Sequence, residues 1–136
     1  MYRPVPDLTI TNSKRMTTPK VDLEIFDTKR TFEDLGLNDS LVRGVKELGF
    51  VHPTIIQSKL IPLALSKVDV LGQSRTGSGK TAAFGLPALH LLEEGDAFGA
   101  LILVPTRELA IQVAKEIEVL GKFTSLKAVP IYGGQK

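Results

Sequence analysis

The chain has no cysteine among its 136 residues. That absence excludes a disulfide framework and any zinc site built on thiolates. It has only two histidines, His52 and His90, far apart in sequence, and two isolated imidazoles do not make a metal site. No apolar run approaches the ~20 residues needed to span a bilayer. The opening Met1–Pro6 stretch lacks the apolar core of a secretory leader. A cytoplasmic setting without membrane association is therefore expected. An excess of one charge sign is missing as well: 17 Lys and Arg face 15 Asp and Glu, for a net charge of +2. Six of the cations and four of the anions fall in residues 1–31, so residues 32–136 hold eleven of each. Composition thus gives no electrostatic case for nucleic acid, and any such case must come from motifs.

What is present is a globular composition, 43% hydrophobic and 24% charged, long enough for one modest domain. Residues 1–30, with three prolines and many Thr, Ser and Lys, read as a flexible tail. Within them Val21–Phe26 alternates in the manner of a short strand. From Phe32 the periodicity sharpens. Asn38 or Asp39 can cap a helix running to about Leu48, with Leu41, Val42, Val45 and Leu48 on one face and Gly49 at its C-terminal stop. Pro53–Gln57 opens a second helix, which Pro62 should kink or shorten. Val68–Leu71 reads as a strand. A helix follows from about Gly79 to Glu94, interrupted near Pro87. Ala100–Val104 is apolar at every position, as suits a strand covered on both faces. A helix from about Thr106 has the buried stripe Leu109, Val113, Ile117 and Leu120 and ends at Gly121. Leu126–Ile131 is a third strand. Helices alternating with strands predict the α/β class, a parallel sheet with flanking helices, and ligand-binding loops at the C-terminal strand ends.

Four features fall on those loops. Ser74–Thr81 places Gly77 and Gly79 before Gly-Lys-Thr at a helix start. Glycines let successive backbone N–H groups converge on one anion, and Lys80 adds a point charge. The Thr81 hydroxyl is positioned for Mg²⁺. A Gly/Ser turn with a solvated lysine is the plainer alternative. Thr54 and Gln57 have capping-box spacing. The Gln57 amide also carries a donor and an acceptor in one plane, the pair that reads adenine elsewhere. Phe32, seventeen residues before Gly49, is either a core aromatic or a platform for a base. Pro105–Ala110 is a capped helix start that also suits a phosphate of a nucleic acid backbone. Gly133-Gly134 is either an ordinary turn or a bare loop open to a sugar-phosphate chain.

Taken together, and in this order, these features resemble the first RecA-like domain of a DEAD-box RNA helicase. Phe32 with Gly49–Gln57 matches the family's Q motif, Ser74–Thr81 its motif I, Pro105–Ala110 its motif Ia, and Gly133-Gly134 its GG motif. The resemblance implies an ATP-dependent RNA helicase that unwinds short duplexes, with ATP and Mg²⁺ as cofactors and single-stranded or short duplex RNA as partner. Phe32 would stack on adenine, Gln57 would select it, and Thr54 would support the pocket. Ser74, Arg75, Thr76, Gly77, Ser78, Gly79, Lys80 and Thr81 would hold the phosphates, with Lys80 and Thr81 in catalytic roles and Thr81 on Mg²⁺. Pro105, Thr106, Arg107, Gly133 and Gly134 would meet the RNA backbone. Residues 31–136 would be a partial RecA-like domain, and a monomer is expected.

The sequence departs from the family pattern in two ways. Ser74 stands where a small apolar residue is usual. The Asp-Glu-Ala-Asp and Ser-Ala-Thr motifs and the second domain with its arginine fingers are absent from these 136 residues. The expectation is a truncated chain that does not hydrolyse ATP, with a gap in the sheet where the acidic strand would lie. The alternatives are a non-catalytic fragment or regulator that binds nucleotide or RNA, and an unrelated P-loop kinase or transport ATPase.

Overall fold

The computed structural model describes residues 25–95 and 98–134. Most of the Val21–Phe26 stretch, and residues 1–24 of the expected tail, lie outside them. Among the described residues four helices carry the fold: α1 (Asp39–Glu47), α2 (Ile55–Leu65), α3 (Lys80–Leu91) and α4 (Arg107–Leu120), preceded by a 3₁₀ turn at Glu33–Leu35.

Local chemistry sets the helix boundaries. Asn38 Oδ1 accepts from Leu41 N at 3.0 Å, so Asn38 rather than Asp39 caps α1. Gly49, just past the end of α1, has φ 78°, a left-handed value that glycine takes without strain. Thr54 caps α2 with a full capping box. Pro62 lies inside an unbroken α2 that ends one turn later, since a proline here removes a single N–H donor. Pro87 is likewise inside α3, fully buried, and the expected interruption there does not occur. The helix stops at Leu91, three residues short of Glu94.

Helix α3 packs between α2 and α4. The core is Phe32, Leu35, Leu41, Val45, Ile61, Leu86, Leu89, Ile117 and Leu120, with neighbours from the same elements. Each fully buried aliphatic or aromatic side chain of this kind contributes about 1.5–3 kcal/mol. Glycine allows a close approach: a Cβ on Gly44 would lie 2.6 Å from the Leu120 carbonyl oxygen, so α1 meets the end of α4 backbone to backbone. Leu48 departs from the expected stripe. It is the C-cap of α1, 40% exposed, and it lines a cavity instead of the core.

The expected parallel sheet is not assembled among the described residues. Among the described residues the backbone bridge outside the helices is antiparallel, Phe26 to Thr54. The segments Val68–Leu71, Ala100–Val104 and Leu126–Ile131 occupy the predicted places in the order but have no ladder. Their exposure shows why. From Leu126 to Tyr132 exposure alternates with period two, with Leu126, Ala128, Pro130 and Tyr132 half-buried and Lys127, Val129 and Ile131 exposed. Val104, Leu126 and Ala128 pack on the core, whereas Leu101, Leu103, Val129 and Ile131 face out and Leu71 is fully exposed. The helices cover one side of these segments, and a strand without a neighbour has no partner for its N–H and C=O groups.

Candidate functional site

The loop Ser74–Gly79 has the backbone of an anion cradle. Gly77 and Gly79 have φ of 78° and 79°, conformations that cost other residues about 1–2 kcal/mol each. The Ser74 and Ser78 hydroxyls meet at 2.6 Å and close the loop. Gly79 is the N-cap of α3 and offers no side chain to its first N–H groups. Those groups, at the positive end of the helix dipole, are left for an anion. Lys80 folds back over the loop, its ammonium donating to the Ser74 carbonyl at 2.6 Å and the Arg75 carbonyl at 2.9 Å. Arg75 and Thr76 are exposed, and Thr81 is half-buried.

The Thr54–Gln57 turn lies directly against this loop. Gln57 is 3% exposed. Its Oε1 accepts from Thr54 N at 2.9 Å, and Thr54 Oγ1 accepts from Gln57 N at 3.4 Å. Its Nε2 donates to the Gly79 carbonyl at 3.1 Å. A Cβ on Gly79 would collide with that amide and would touch Thr54 Cγ2 at 3.5 Å. Gln57, Thr54 and Gly79 thus form one packed cluster. The capping role of Gln57 is present, and the same amide reaches the phosphate loop. Sequence spacing alone did not reveal this contact across 22 residues.

Beside the cluster is a cavity of about 400 Å³, lined by Leu48, Phe50, Gln57, Gly79, Thr81 and Ala82 and by the α4 residues Gln112, Lys115, Glu116, Val119 and Leu120. Lys80 is not among its lining residues; Gly79 is the link between the lysine's loop and the cavity. Phe32, expected either as a core aromatic or as a platform for a base, is 1% exposed, stacked on Phe50 with ring centroids 6.4 Å apart, and packed in the core. Phe50, 43% exposed, is the aromatic that shares the cavity with Gln57. Nothing in the sequence pattern around Gly49 singled it out.

The other expected residues form a second group. Thr106 Oγ1 caps α4, accepting from Leu109 N at 3.2 Å. The Arg107 guanidinium lies over the Tyr132 ring, 4.7 Å from its centroid, a cation–π contact. It brings the Pro105–Ala110 loop to the segment ending in Gly133 and Gly134. Pro105, Thr106, Arg107, Gly133 and Gly134 are all exposed, and Gly134 has φ 85°. Among the described residues there is no cluster of three or more His, Asp or Glu able to hold a metal, and no helix long and apolar enough to cross a membrane.

A family model described as DEAD/DEAH box helicase matches residues 54–136. The DEAD-box ATP-dependent RNA helicase RhpA of Helicobacter pylori is 50% identical over 107 residues, which cover 79% of this chain and 22% of that protein. The DEAD-box ATP-dependent RNA helicase CshA of Bacillus cereus is 48% identical over 106 residues, covering 77% and 20%. The chain therefore spans about a fifth of the length of these relatives. Among solved structures, a DEAD box protein from Methanococcus jannaschii superposes with a TM-score of 0.69 at 45% identity, covering 78% of this chain and 30% of that one. Dbp5 of Saccharomyces cerevisiae, bound to RNA and ADP BeF3, gives 0.63 at 37% identity, covering 69% and 25%. These neighbours carry the RecA-like fold, and their likeness extends over most of the described residues. By sequence and by fold, the chain belongs to the DEAD/DEAH box helicase family.

Proposed function

We propose that this chain binds ATP through the Ser74–Thr81 loop and the Thr54–Gln57 turn, and RNA through the Thr106–Arg107 and Gly133–Gly134 loops, as part of an ATP-dependent RNA helicase that opens short duplexes. The observation that carries the reading is the hydrogen bond from Gln57 Nε2 to the Gly79 carbonyl. It sets a side chain suited to an adenine edge against the residue that begins the phosphate cradle. One N–H and one lone pair of that amide remain for a base.

The cradle fits a triphosphate. The space around Gly77 is open, the first N–H groups of α3 have no side-chain cap, and Lys80 reaches the loop's centre. On binding, Lys80 would exchange two carbonyl acceptors for charged phosphate oxygens, a stronger bond. Ser74, Arg75, Thr76 and Ser78 supply backbone around the anion, and Thr81 would hold Mg²⁺. ATP with Mg²⁺ supplies the free energy and the leaving group of the reaction. Thr106, the N–H groups at the start of α4 and Arg107 suit a phosphate of an RNA strand. Gly133 and Gly134 leave room for its backbone. In-line attack on a γ-phosphate needs water positioning and charge neutralisation besides the metal. No Asp-Glu-Ala-Asp motif occurs within these 136 residues, so the chain by itself binds without turning over.

A nucleotide panel tests the reading. The chain should prefer ATP to GTP, and Gln57→Ala should abolish the preference. A well-formed Gln–adenine pair discriminates by about 1–3 kcal/mol, roughly 5- to 150-fold. A preference that survives Gln57→Ala would overturn the assignment of the base site. Turnover near ~1 s⁻¹ with RNA, the low end of typical enzyme rates, would overturn the statement that the chain only binds.

A further inference from the structure

Residues 25–30 lie before every motif described above, and they are not a loose lead-in. Their backbone grips the turn that carries Gln57. Ile55 N donates to the Ile25 carbonyl and Asp27 N to the Pro53 carbonyl, both at 2.8 Å, and Phe26 bridges Thr54. The two bonds flank Thr54, whose own N–H holds Gln57 Oε1. Side chains continue the grip on the next residue of the helix. The buried Ser58 donates its hydroxyl to Asp27 Oδ2, and Arg30 Nη1 donates to the Ser58 carbonyl at 3.3 Å. At the other end, His52 Nδ1 meets the Arg30 carbonyl at 2.9 Å. Gln57 is therefore bracketed: Thr54 is fixed on its N-terminal side and Ser58 on its C-terminal side, both by one six-residue segment.

We propose that residues 25–30 form a clip that presets the Gln57 amide for base recognition, with Asp27 as its positioning residue. The proposal rests on the base-site reading given above. The physical argument is preorganisation. Gln57 ends in a rotatable amide, and fixing such a side chain on binding costs about 0.5–1.5 kcal/mol. With the clip in place the backbone donor that orients its oxygen is already set. Without it, Thr54 and Ser58 regain freedom and the amide must be ordered by the ligand. Phosphate binding would change far less, because the clip itself bonds none of Ser74–Thr81 and reaches that loop only through the Gln57 contact with Gly79. The clip thus acts mainly on which base is bound. The Ser58 hydroxyl, first among the causes, holds the Asp27 carboxyl below its ordinary value of 3.8, so the acceptor is ionised at neutral pH.

The test is equilibrium binding of fluorescent ADP and GDP analogues to the 136-residue chain, read as the ratio of the two affinities. Asp27→Ala and Ser58→Ala remove opposite ends of one hydrogen bond. Each should lower the adenine preference, on the order of two- to thirtyfold for coupling of this kind, and the double variant should be no worse than either. Asp27→Asn keeps an acceptor oxygen and should retain most of the preference. Inorganic triphosphate should bind all variants nearly alike. Far-ultraviolet circular dichroism and the urea midpoint separate positioning from folding. If Asp27→Ala does not fold, the comparison of Ser58→Ala with Asp27→Asn decides. A ratio unchanged in Ser58→Ala and Asp27→Ala, with or without a lower midpoint, overturns the clip alone, provided Gln57→Ala does lower it. A ratio unchanged in Gln57→Ala overturns the base site, and the clip falls with it.

Discussion

Replacing Gly79 by alanine isolates the contact on which the candidate site is built. Three costs add. The residue has φ 79°, and an alanine in that region costs about 1–2 kcal/mol. Its new Cβ collides with the Gln57 amide, which sits in a buried place and cannot swing into solvent without surrendering its bonds. Losing the Nε2 bond to the Gly79 carbonyl forfeits about 0.5–1.5 kcal/mol more. The conformational and hydrogen-bond costs alone sum to roughly 1.5–3.5 kcal/mol, a large part of the stability of a small domain. Gly77 supplies the internal control. It has φ 78° but nothing within 4 Å of a built Cβ, so Gly77→Ala should cost only the conformational ~1–2 kcal/mol. Urea unfolding followed by circular dichroism measures both. In a double-mutant cycle, Gln57→Ala should relieve part of the Gly79→Ala cost and none of the Gly77→Ala cost. Equal costs at the two glycines, or strict additivity of Gly79→Ala with Gln57→Ala, would refute the reasoning.

Other consequences follow from the packing and the charges. Gly44→Ala drives a methyl into the Leu120 carbonyl and should destabilise the chain by about 1–3 kcal/mol, seen as a lower urea midpoint. The Asp34 carboxyl is held below 3.8 by the Thr31 backbone N–H first and then by the Thr31 hydroxyl, and Glu33 is held below 4.5, chiefly by Lys46. These groups stabilise the fold above their ordinary values and lose that effect as pH falls through the lowered folded values. The urea midpoint should therefore decline from near pH 4.5 downward, and less steeply in Asp34→Asn. Arg107→Ala should weaken binding of single-stranded RNA and flatten its salt dependence by about one phosphate contact.

Much of the architecture could be read from short-range chemistry. Asn38, Thr54 and Thr106 cap helices where their side chains are one turn from free N–H groups, and Gly49 ends α1 in the conformation that its residue type favours. Pro87 misled because a helix tolerates a proline when tertiary packing, as around this buried residue, outweighs one missing donor. The sheet was readable only as three apolar segments. Pairing depends on neighbours distant in sequence, and local pattern does not supply them. Phe32 and Phe50 show the same limit at the site. Both are aromatic and both flank the Gln57 turn, and the packing of the 3₁₀ turn against α2 decides which ring is sealed in the core. The Gln57–Gly79 contact is a side chain meeting a backbone carbonyl, and no residue type at position 79 other than glycine's small size announces it.

The central claim is that the Gln57 amide and the Gly79 loop are two ends of one nucleotide site. Titration of the ¹⁵N-labelled chain with ADP and with inorganic triphosphate, following the Gln57 side-chain amide and the Gly79 backbone resonance, tests it most directly. ADP should shift both signals with one common affinity, and inorganic triphosphate should shift Gly79 with a smaller effect on Gln57. A Gln57 amide that stays in place while ADP saturates the loop would contradict the account.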